Sequence, residues 1–293
     1  MNNQELYSQI AQKYNTEIKN DNVLNGLLSK VKNKTATQKD ISRIADRLGL
    51  HAKEAFIAYL TPETLPEEKL YWNIARDTIE PIMENVHANI NSNAILQLSA
   101  EDVKNGISVN IKKGSDKSIH KLMNDLVTAS EAGALEGALS VDVETAARKM
   151  YDDFQIENCA LRNDLGYGQY IVREYDDVGL HGKHDPCGYC LSRAGTYSYP
   201  YDALDVGVFA RHPGCGCRIT MITDGSKSSI NNYSQKTNSD VAYIHQRDAA
   251  RDDAYARMSK AKTGAERSEI WQEYEKKKQA LISKYHVTNK KYI

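Results

Sequence analysis

The sequence predicts an α+β protein that is predominantly helical. Three features support this fold class. Apolar residues recur at helical spacing through residues 1–155, whereas glycine, proline, tyrosine and cysteine concentrate in residues 156–224. A polar linker at residues 225–238 then leads to two more helical stretches within residues 239–293. We therefore expect a long helical N-terminal region, a small α/β block and a C-terminal helical hairpin.

The N-terminal region is interpreted as a succession of helices. Thr37 and Asp40 have the spacing of a capping pair at the start of a helix. The apolar residues that follow predict a helix that stops at Gly49, and a second helix is expected to end before Pro62. A longer helical segment should begin at Pro66.

Several features are expected to interrupt the rest of this region. Pro81 should kink or divide the long segment, because proline lacks the N–H that an interior helical position donates. Ser99 and Asp102 mark a further candidate helix start. Residues 106–114 alternate apolar and polar side chains, which predicts a short strand. One long helix is predicted for residues 116–154.

The block at residues 156–224 is expected to contain two strands. Residues 170–175 and 217–223 are rich in β-branched and aromatic side chains. They lie before and after a loop that contains most of the cysteines. Two strands that bracket such a loop predict a compact unit that is too small to fold without additional stabilisation.

The C-terminal region is predicted to be a helical hairpin. Its first helix should span about residues 240–260, and Thr263 and Glu266 have capping-box spacing at the start of the second. An apolar stripe on the second helix is typical of a face that packs against a neighbour. The stripe comprises Ile270, Tyr274, Leu281 and Tyr285.

The composition narrows the classes of function. The chain has 38 Lys and Arg residues against 39 Asp and Glu residues, so its net charge of −1 does not indicate a nucleic-acid surface. No apolar run approaches the ~18 residues that a membrane span needs, so no membrane contact is predicted. Tyrosine outnumbers phenylalanine 18 to 3, which favours half-buried surfaces and interfaces unless it reflects composition bias.

Four of the five cysteines fall close together in the sequence. Cys187 and Cys190 form a C-x-x-C pair, and His212, Cys215 and Cys217 follow after a short connection. Two pairs of soft ligands separated by a loop are what a tetrahedral Zn²⁺ site requires. The predicted ligands are Cys187, Cys190, His212 and either Cys215 or Cys217. Four protein ligands would leave no position for water, so we expect a structural zinc in a zinc-ribbon-like block.

Other interpretations of the cluster are a disulfide framework, inert buried thiols or a catalytic metal site. The polar N-terminus shows no secretory signal, and a reducing cytoplasm favours metal or free thiols over disulfides. A metal-dependent nuclease of the ββα-metal (HNH-like) type would use His181 and His184, with Arg211 nearby. A zinc ribbon that binds nucleic acid is the remaining alternative, although near-neutral charge disfavours tight nonspecific binding.

The cysteine-rich block resembles the Mu F-like minor head proteins of tailed bacteriophages, also called phage head morphogenesis proteins. The resemblance rests on "DPCGYCLSRAGTYSY" followed by "FARHPGCGCRI", a C-x-x-C and then an H-P-x-C-x-C-R element that leads into a strand. It covers roughly residues 165–223. The family also tends to have a long helical region before this block, whereas segment 176–185 is longer than the family pattern and the C-terminal helices lie outside it.

This resemblance implies a structural minor capsid protein without catalytic residues. Such a protein would be made in the host cytoplasm, would be packaged into the virion in few copies, and would associate with the portal, the major capsid protein or both. It would assist head assembly or DNA packaging and delivery. Apart from the resemblance, the basic residues of this block, Lys183, Arg193, Arg211 and Arg218, leave room for weak contact with packaged DNA.

Overall fold

The computed structural model describes residues 2–175, 178–179, 182–183, 188–227, 238–258 and 264–285. The protein is mostly helical (72%) and has a small three-stranded antiparallel sheet, which confirms the predominantly helical α+β class. It forms two compact units, residues 1–227 and residues 228–293. Among the described residues, no helix combines the length and apolar character that crossing a bilayer requires.

The first unit begins with six helices and continues with short helices and strands. The helices are α1 (Asn3–Asn20), α2 (Asn22–Lys32), α3 (Gln38–Tyr59), α4 (Trp72–Asn105), α5 (Lys117–Glu131), α6 (Leu135–Asp164), α7 (Gly188–Leu191) and α8 (Tyr201–Val206). The strands are β1 (Tyr167–Glu174), β2 (Val178–Gly179), β3 (Gly182–Lys183), β4 (Gly195–Tyr199) and β5 (Arg218–Lys227).

Helix α3 confirms the predicted capping pair at its start, but its predicted end is wrong. Thr37 accepts a hydrogen bond from the Asp40 N–H, and the Asp40 carboxylate accepts one from the Thr37 N–H, as a capping box does. The helix does not stop at Gly49 but continues to Tyr59. A Cβ added at Gly49 would lie 2.8 Å from the Cβ of Ala147 on α6. Gly49 therefore allows two helices to approach closely, and it does not end α3.

Helix α4 is also longer than predicted. Pro66 lies in a separate 3₁₀ turn, Pro66–Glu68, and α4 begins at Trp72. The helix continues through Pro81, and the predicted start at Ser99 lies within it. Many of its buried side chains share one core with α1 and α3, and this packing offsets the local cost of the proline. Gly106, in the left-handed conformation, ends the helix.

The prediction of a strand at residues 106–114 is wrong. Side chains from two helices, and not a neighbouring strand, form hydrogen bonds with the backbone of this segment. The Lys112 N–H donates to Asn158 Oδ1 at 3.0 Å, and Asn158 Nδ2 donates to the Lys112 carbonyl at 2.9 Å. The Gly114 N–H donates to Asn91 Oδ1 at 2.7 Å. These two asparagines, on α6 and α4, hold the segment as an extended connection between helices.

We expect Gly114→Ala to destabilise the protein. An added Cβ would lie 2.5 Å from the backbone nitrogen of Phe154 and 2.9 Å from its Cα, and helix backbone cannot yield as a side chain can. Overpacking of this kind should lower the free energy of unfolding by about 1–3 kcal/mol. Gly26→Ala is the matched control, because its Cβ would meet nothing within 4 Å in α2 and should stabilise slightly. Urea denaturation that ranks Gly114→Ala at or above wild type would contradict this contact.

The single helix predicted for residues 116–154 is divided in two. Helix α5 ends at Glu131, Gly133 takes a positive φ of 70°, and α6 begins at Leu135. The break lets α5 fold back and pack on α6. Helix α6 then continues beyond the expected boundary at residue 155 to Asp164.

Both strands predicted around the cysteine loop are present, as β1 and β5, and they pair antiparallel. Strand β1 is central, with β4 on its other side. The outer edge of β5 is covered by side chains from helices. Gln38 Nε2 donates to the Met221 carbonyl at 2.7 Å, and Gln38 Oε1 accepts from the Met221 N–H at 2.8 Å. Ile171 and Met221 join the helical core, so sheet and helices share one core.

The second unit consists of α9 (Asn238–Met258) and α10 (Gly264–Tyr285). Tyr243 near the start of α9 packs with Leu281 near the end of α10, and Ala254 packs with Tyr274. The two helices therefore run in opposite directions and bury the predicted stripe between them. The predicted cap residue Thr263 lies outside the described residues, as do residues 228–237 of the predicted linker.

Candidate metal centre

The structure brings Cys190, His212 and Cys215 together, with one potential ligand atom from each within 4.8 Å of the others. Cys190 lies on α7, and the other two lie in the loop between α8 and β5. This loop turns sharply, because the Cys215 N–H donates to the His212 carbonyl at 3.0 Å while Gly214 takes a φ of 73°. The turn points both side chains towards α7.

The separations between these atoms suit one tetrahedral ion. Cys190 Sγ lies 3.8 Å from Cys215 Sγ and 3.1 Å from His212 Nε2. Zinc with Zn–S of about 2.3 Å and Zn–N of about 2.05 Å places two sulfurs roughly 3.8 Å apart, and a sulfur and a nitrogen roughly 3.5 Å apart. The sulfur pair already has this spacing, and the imidazole needs to move by a few tenths of an ångström.

His212 is oriented for ligation through Nε2. Its Nδ1 lies 2.7 Å from the carbonyl oxygen of Pro213, and a carbonyl can only accept, so Nδ1 carries the proton. The Nε2 lone pair then faces Cys190. A hydrogen bond from the second ring nitrogen is the usual way in which proteins fix the tautomer of a metal-ligating histidine. The ring of Tyr189 packs edge-on against the imidazole, with centroids 5.4 Å apart.

Cys217 is buried beside the group, and the pKa values of Cys215 and Cys217 are shifted in opposite directions. A hydrogen bond from the Cys217 thiol is the main cause of the lowered pKa of Cys215, to which Arg211 and Arg173 contribute against the opposing effect of burial. The same hydrogen bond and burial raise the pKa of Cys217. Cys215 is the more acidic thiol of the two, and its Sγ, unlike that of Cys217, belongs to the group of three mutually close ligand atoms.

Arg173 on β1 supplies positive charge directly at the thiols. Its side chain is buried, and one terminal nitrogen donates to the carbonyls of Val208 and Ala210 at 2.6 and 2.7 Å. The other terminal nitrogen lies 3.4 Å from Cys215 Sγ and 4.0 Å from Cys190 Sγ. A guanidinium in this position fixes the loop before the ligands and offsets the charge of the thiolates.

Arg211 forms a second, fully paired link between the loop and α6. Its Nε and one terminal nitrogen donate to the Asp152 carboxylate at 2.5 and 2.9 Å, with both side chains at most 3% exposed. The other terminal nitrogen donates to the Cys217 carbonyl at 2.7 Å. Arg211 therefore points inwards, and it is not a surface residue that could contact DNA.

Arg148 on α6 ties the same loop to the helical core. It donates to the Cys215 carbonyl at 3.1 Å, to Asp46 on α3 at 2.5 Å and to Glu144 at 3.2 Å. Glu144 also accepts from Lys53 on α3 at 2.5 Å. The cysteine loop is thus connected through buried charge pairs to the crossing of α3 and α6.

The remaining predicted site residues are placed as follows. Cys187, His181 and His184 lie outside the described residues, so the ligand role of Cys187 stays a prediction. Cys159 is separate from the centre and packs in the helical core, with its Sγ 3.6 Å from Met221 Sδ. Burial raises its pKa to about 12, as expected of an inert thiol.

Sequence reasoning missed the residues that support the ligands, chiefly Arg148, Arg173 and Asp152. Only Arg173 had a local signal. It alternates with Gln169 and Ile171 on the inward face of β1, where an unpaired arginine would be costly. A charged residue at an inward strand position indicates a buried anionic partner, and here the partners include thiols.

Comparisons with models of protein families, with characterised proteins and with solved structures find no match to this chain.

Proposed function

We propose that the cysteine cluster is a structural zinc centre, in which Cys187 completes the set formed by Cys190, His212 and Cys215. The 3.8 Å separation of two buried sulfurs supports zinc, as does the charge that Arg173 supplies beside them. A shell of four protein ligands leaves no position for water or substrate. The ion would join α7 to the loop before β5 and complete a zinc-ribbon-like unit on the sheet.

We infer that the protein is a structural minor capsid (head morphogenesis) protein of a tailed bacteriophage or a related element. The resemblance of residues 165–223 to the Mu F-like minor head proteins supports this role. The observation that carries the structural, non-catalytic part of this role is the burial of the ligand thiols, since Cys190 and Cys215 are at most 2% exposed. A metal held by these buried thiols would contribute to stability, and four protein ligands would leave no open coordination position for a substrate.

The proposed partners are the portal and the major capsid protein, and the proposed location is the virion. The C-terminal helices form a compact unit of their own, which makes them the proposed partner-binding element. Contact with packaged DNA would be weak. Arg211 does not contribute to it, because its side chain is buried against Asp152.

The test is incorporation into heads. The full chain would be produced together with the portal and major capsid proteins encoded in the same genome, and purified particles would be analysed by mass spectrometry. We expect a few copies per particle for wild type and for Cys159→Ala, and strongly reduced incorporation for Cys187→Ser. Particles that form normally but lack the wild-type chain would contradict the proposed role.

The nuclease alternative is tested on the same purified protein with supercoiled plasmid. Cleavage that requires Mg²⁺, Mn²⁺ or Zn²⁺ and is lost in His184→Ala would favour an HNH-like enzyme over a structural protein. Intact plasmid under all three conditions agrees with the structural role.

A further inference from the structure

A second group of potential metal ligands lies where α1 meets α3. It consists of Glu17 on α1 and of His51 and Glu54, which are separated by about one turn of α3. One ligand atom from each residue lies within 4.8 Å of the others. His51 is buried, Glu17 is half-buried and Glu54 is exposed, so the group opens to solvent on one side.

Asp21 fixes the orientation of His51 from the protein interior. Asp21 Oδ2 lies 2.8 Å from His51 Nε2 and accepts from Arg47 Nε at 2.6 Å, while Oδ1 accepts from the N–H groups of Val23 and Leu24. Asp21 already accepts hydrogen bonds from a guanidinium and from two backbone N–H groups, so it acts as an acceptor towards His51, which donates from Nε2.

The other ring nitrogen of His51 then faces a carboxylate. His51 Nδ1 lies 3.2 Å from Glu54 Oε2. With Nε2 directed at Asp21, Nδ1 of the ring and the Glu54 carboxylate face each other, so a cation can be held between the two atoms. Two ligand atoms about 2.0–2.2 Å from one ion lie roughly 3.0–3.4 Å apart, which includes the observed separation.

We propose that Glu17, His51 and Glu54 bind a divalent transition-metal ion of the Mn²⁺ or Fe²⁺ type, which prefers nitrogen and oxygen ligands. Asp21 holds the ligating imidazole through its second nitrogen, as carboxylates do for metal-bound histidines. Three protein ligands leave further positions for water or for an oxygen of an external ligand. The ion would join the first helix of the chain to the central helix α3.

Lys13 is the natural competitor of such an ion. Its Nζ lies 3.2 Å from Glu17 Oε1, and both side chains are partly exposed. A cation bound between the three ligands must displace or repel this ammonium group. Removal of the lysine charge should therefore strengthen metal binding, an effect that a misfolded variant would not produce.

The experiment uses the full chain with its cysteine centre loaded with zinc, and Mn²⁺ as the probe, because thiolates select softer ions. Loss of the free Mn²⁺ signal in electron paramagnetic resonance measures binding. We expect one Mn²⁺ per chain, affinity at least tenfold weaker in Glu54→Gln, and affinity about two- to fivefold stronger in Lys13→Gln. Glu84→Gln, which removes an exposed carboxylate from α4, is the matched control and should bind as wild type does.

A second readout locates the ion. Bound Mn²⁺ should broaden the amide resonances around Glu17 and His51 in the wild-type spectrum, before the resonances of the other helices are affected. The proposal is overturned if wild type and Glu54→Gln bind Mn²⁺ equally, or if wild type binds none. His51 would then only bridge Asp21 and Glu54 through hydrogen bonds.

Discussion

Cys190→Ser is expected to abolish zinc binding and to unfold the cysteine-rich block while most of the N-terminal helices persist. A serine oxygen is a poor zinc ligand, and the three remaining ligands cannot close the tetrahedron. Because a structural site binds metal only in the folded state, loss of binding is loss of folding free energy. We expect a cost of more than about 3 kcal/mol in the unfolding of this block.

Three measurements test this prediction. They are the zinc content by inductively coupled plasma mass spectrometry, limited proteolysis, and helix content by far-ultraviolet circular dichroism. Wild type should hold one zinc per chain, and Cys190→Ser should hold none, should be cleaved within residues 165–223 and should retain most of its helical signal. Cys159→Ala is the matched control, because this buried cysteine packs in the helical core away from the ligands, and it should keep its zinc. Cys187→Ser should lose zinc, whereas Cys217→Ser should retain it because Cys217 lies outside the three mutually close ligands.

The opposite pattern would reassign the fourth ligand. If Cys217→Ser loses zinc and Cys187→Ser retains it, Cys217 completes the shell. Wild-type protein without zinc, together with unchanged proteolysis in Cys190→Ser, would remove the structural-zinc proposal and leave a cluster of free thiols.

The sequence was sufficient for features that neighbouring residues determine. The capping pair Thr37–Asp40 depends on groups three residues apart, and the structure contains it. The strands on both sides of the cysteine loop follow from local β propensity, and β1 and β5 are found there with slightly different ends. The H-P-G-C turn brings His212 and Cys215 to Cys190 because its backbone conformation is set within a few residues.

The sequence was not sufficient to predict features that depend on contacts with residues far away in the chain. Gly49 and Pro81 are local signals for helix ends, but packing in the shared core keeps α3 and α4 continuous. The segment at residues 106–114 alternates as a strand does, yet Asn91 and Asn158 supply its hydrogen bonds. No local rule could predict these partners, which lie on α4 and α6.

The same distinction applies to the metal centre. The candidate ligands can be predicted from their spacing in the sequence. The pairing of Arg211 with Asp152 cannot, because it joins positions 59 residues apart. Each of these two residues alone is an ordinary charged side chain in the sequence. Their importance follows from burial, which makes the loss of either partner costly.

Asp152→Ala is therefore the second substitution, after Cys190→Ser, that we expect to lower the stability of the protein strongly. It leaves the Arg211 guanidinium buried without its carboxylate, and the loss of one partner of a buried pair costs about 3–5 kcal/mol. The loop that contains His212 and Cys215 would lose its link to α6, so zinc affinity should also fall by about 10- to 100-fold. Chemical denaturation and competition with a zinc chelator measure the two effects.

Asp153→Ala, one residue further along α6, is the matched control. Asp153 pairs with the partly exposed Lys149 at 2.7 Å, away from the ligands, and its removal should cost about 1 kcal/mol or less and leave zinc affinity unchanged. The double variant Asp152→Ala/Arg211→Met should recover much of the stability, because it removes the uncompensated charge. If instead the double variant is as unstable as the sum of its single changes, the cost comes from lost packing, and the buried ion pair is not what holds the cysteine loop on α6.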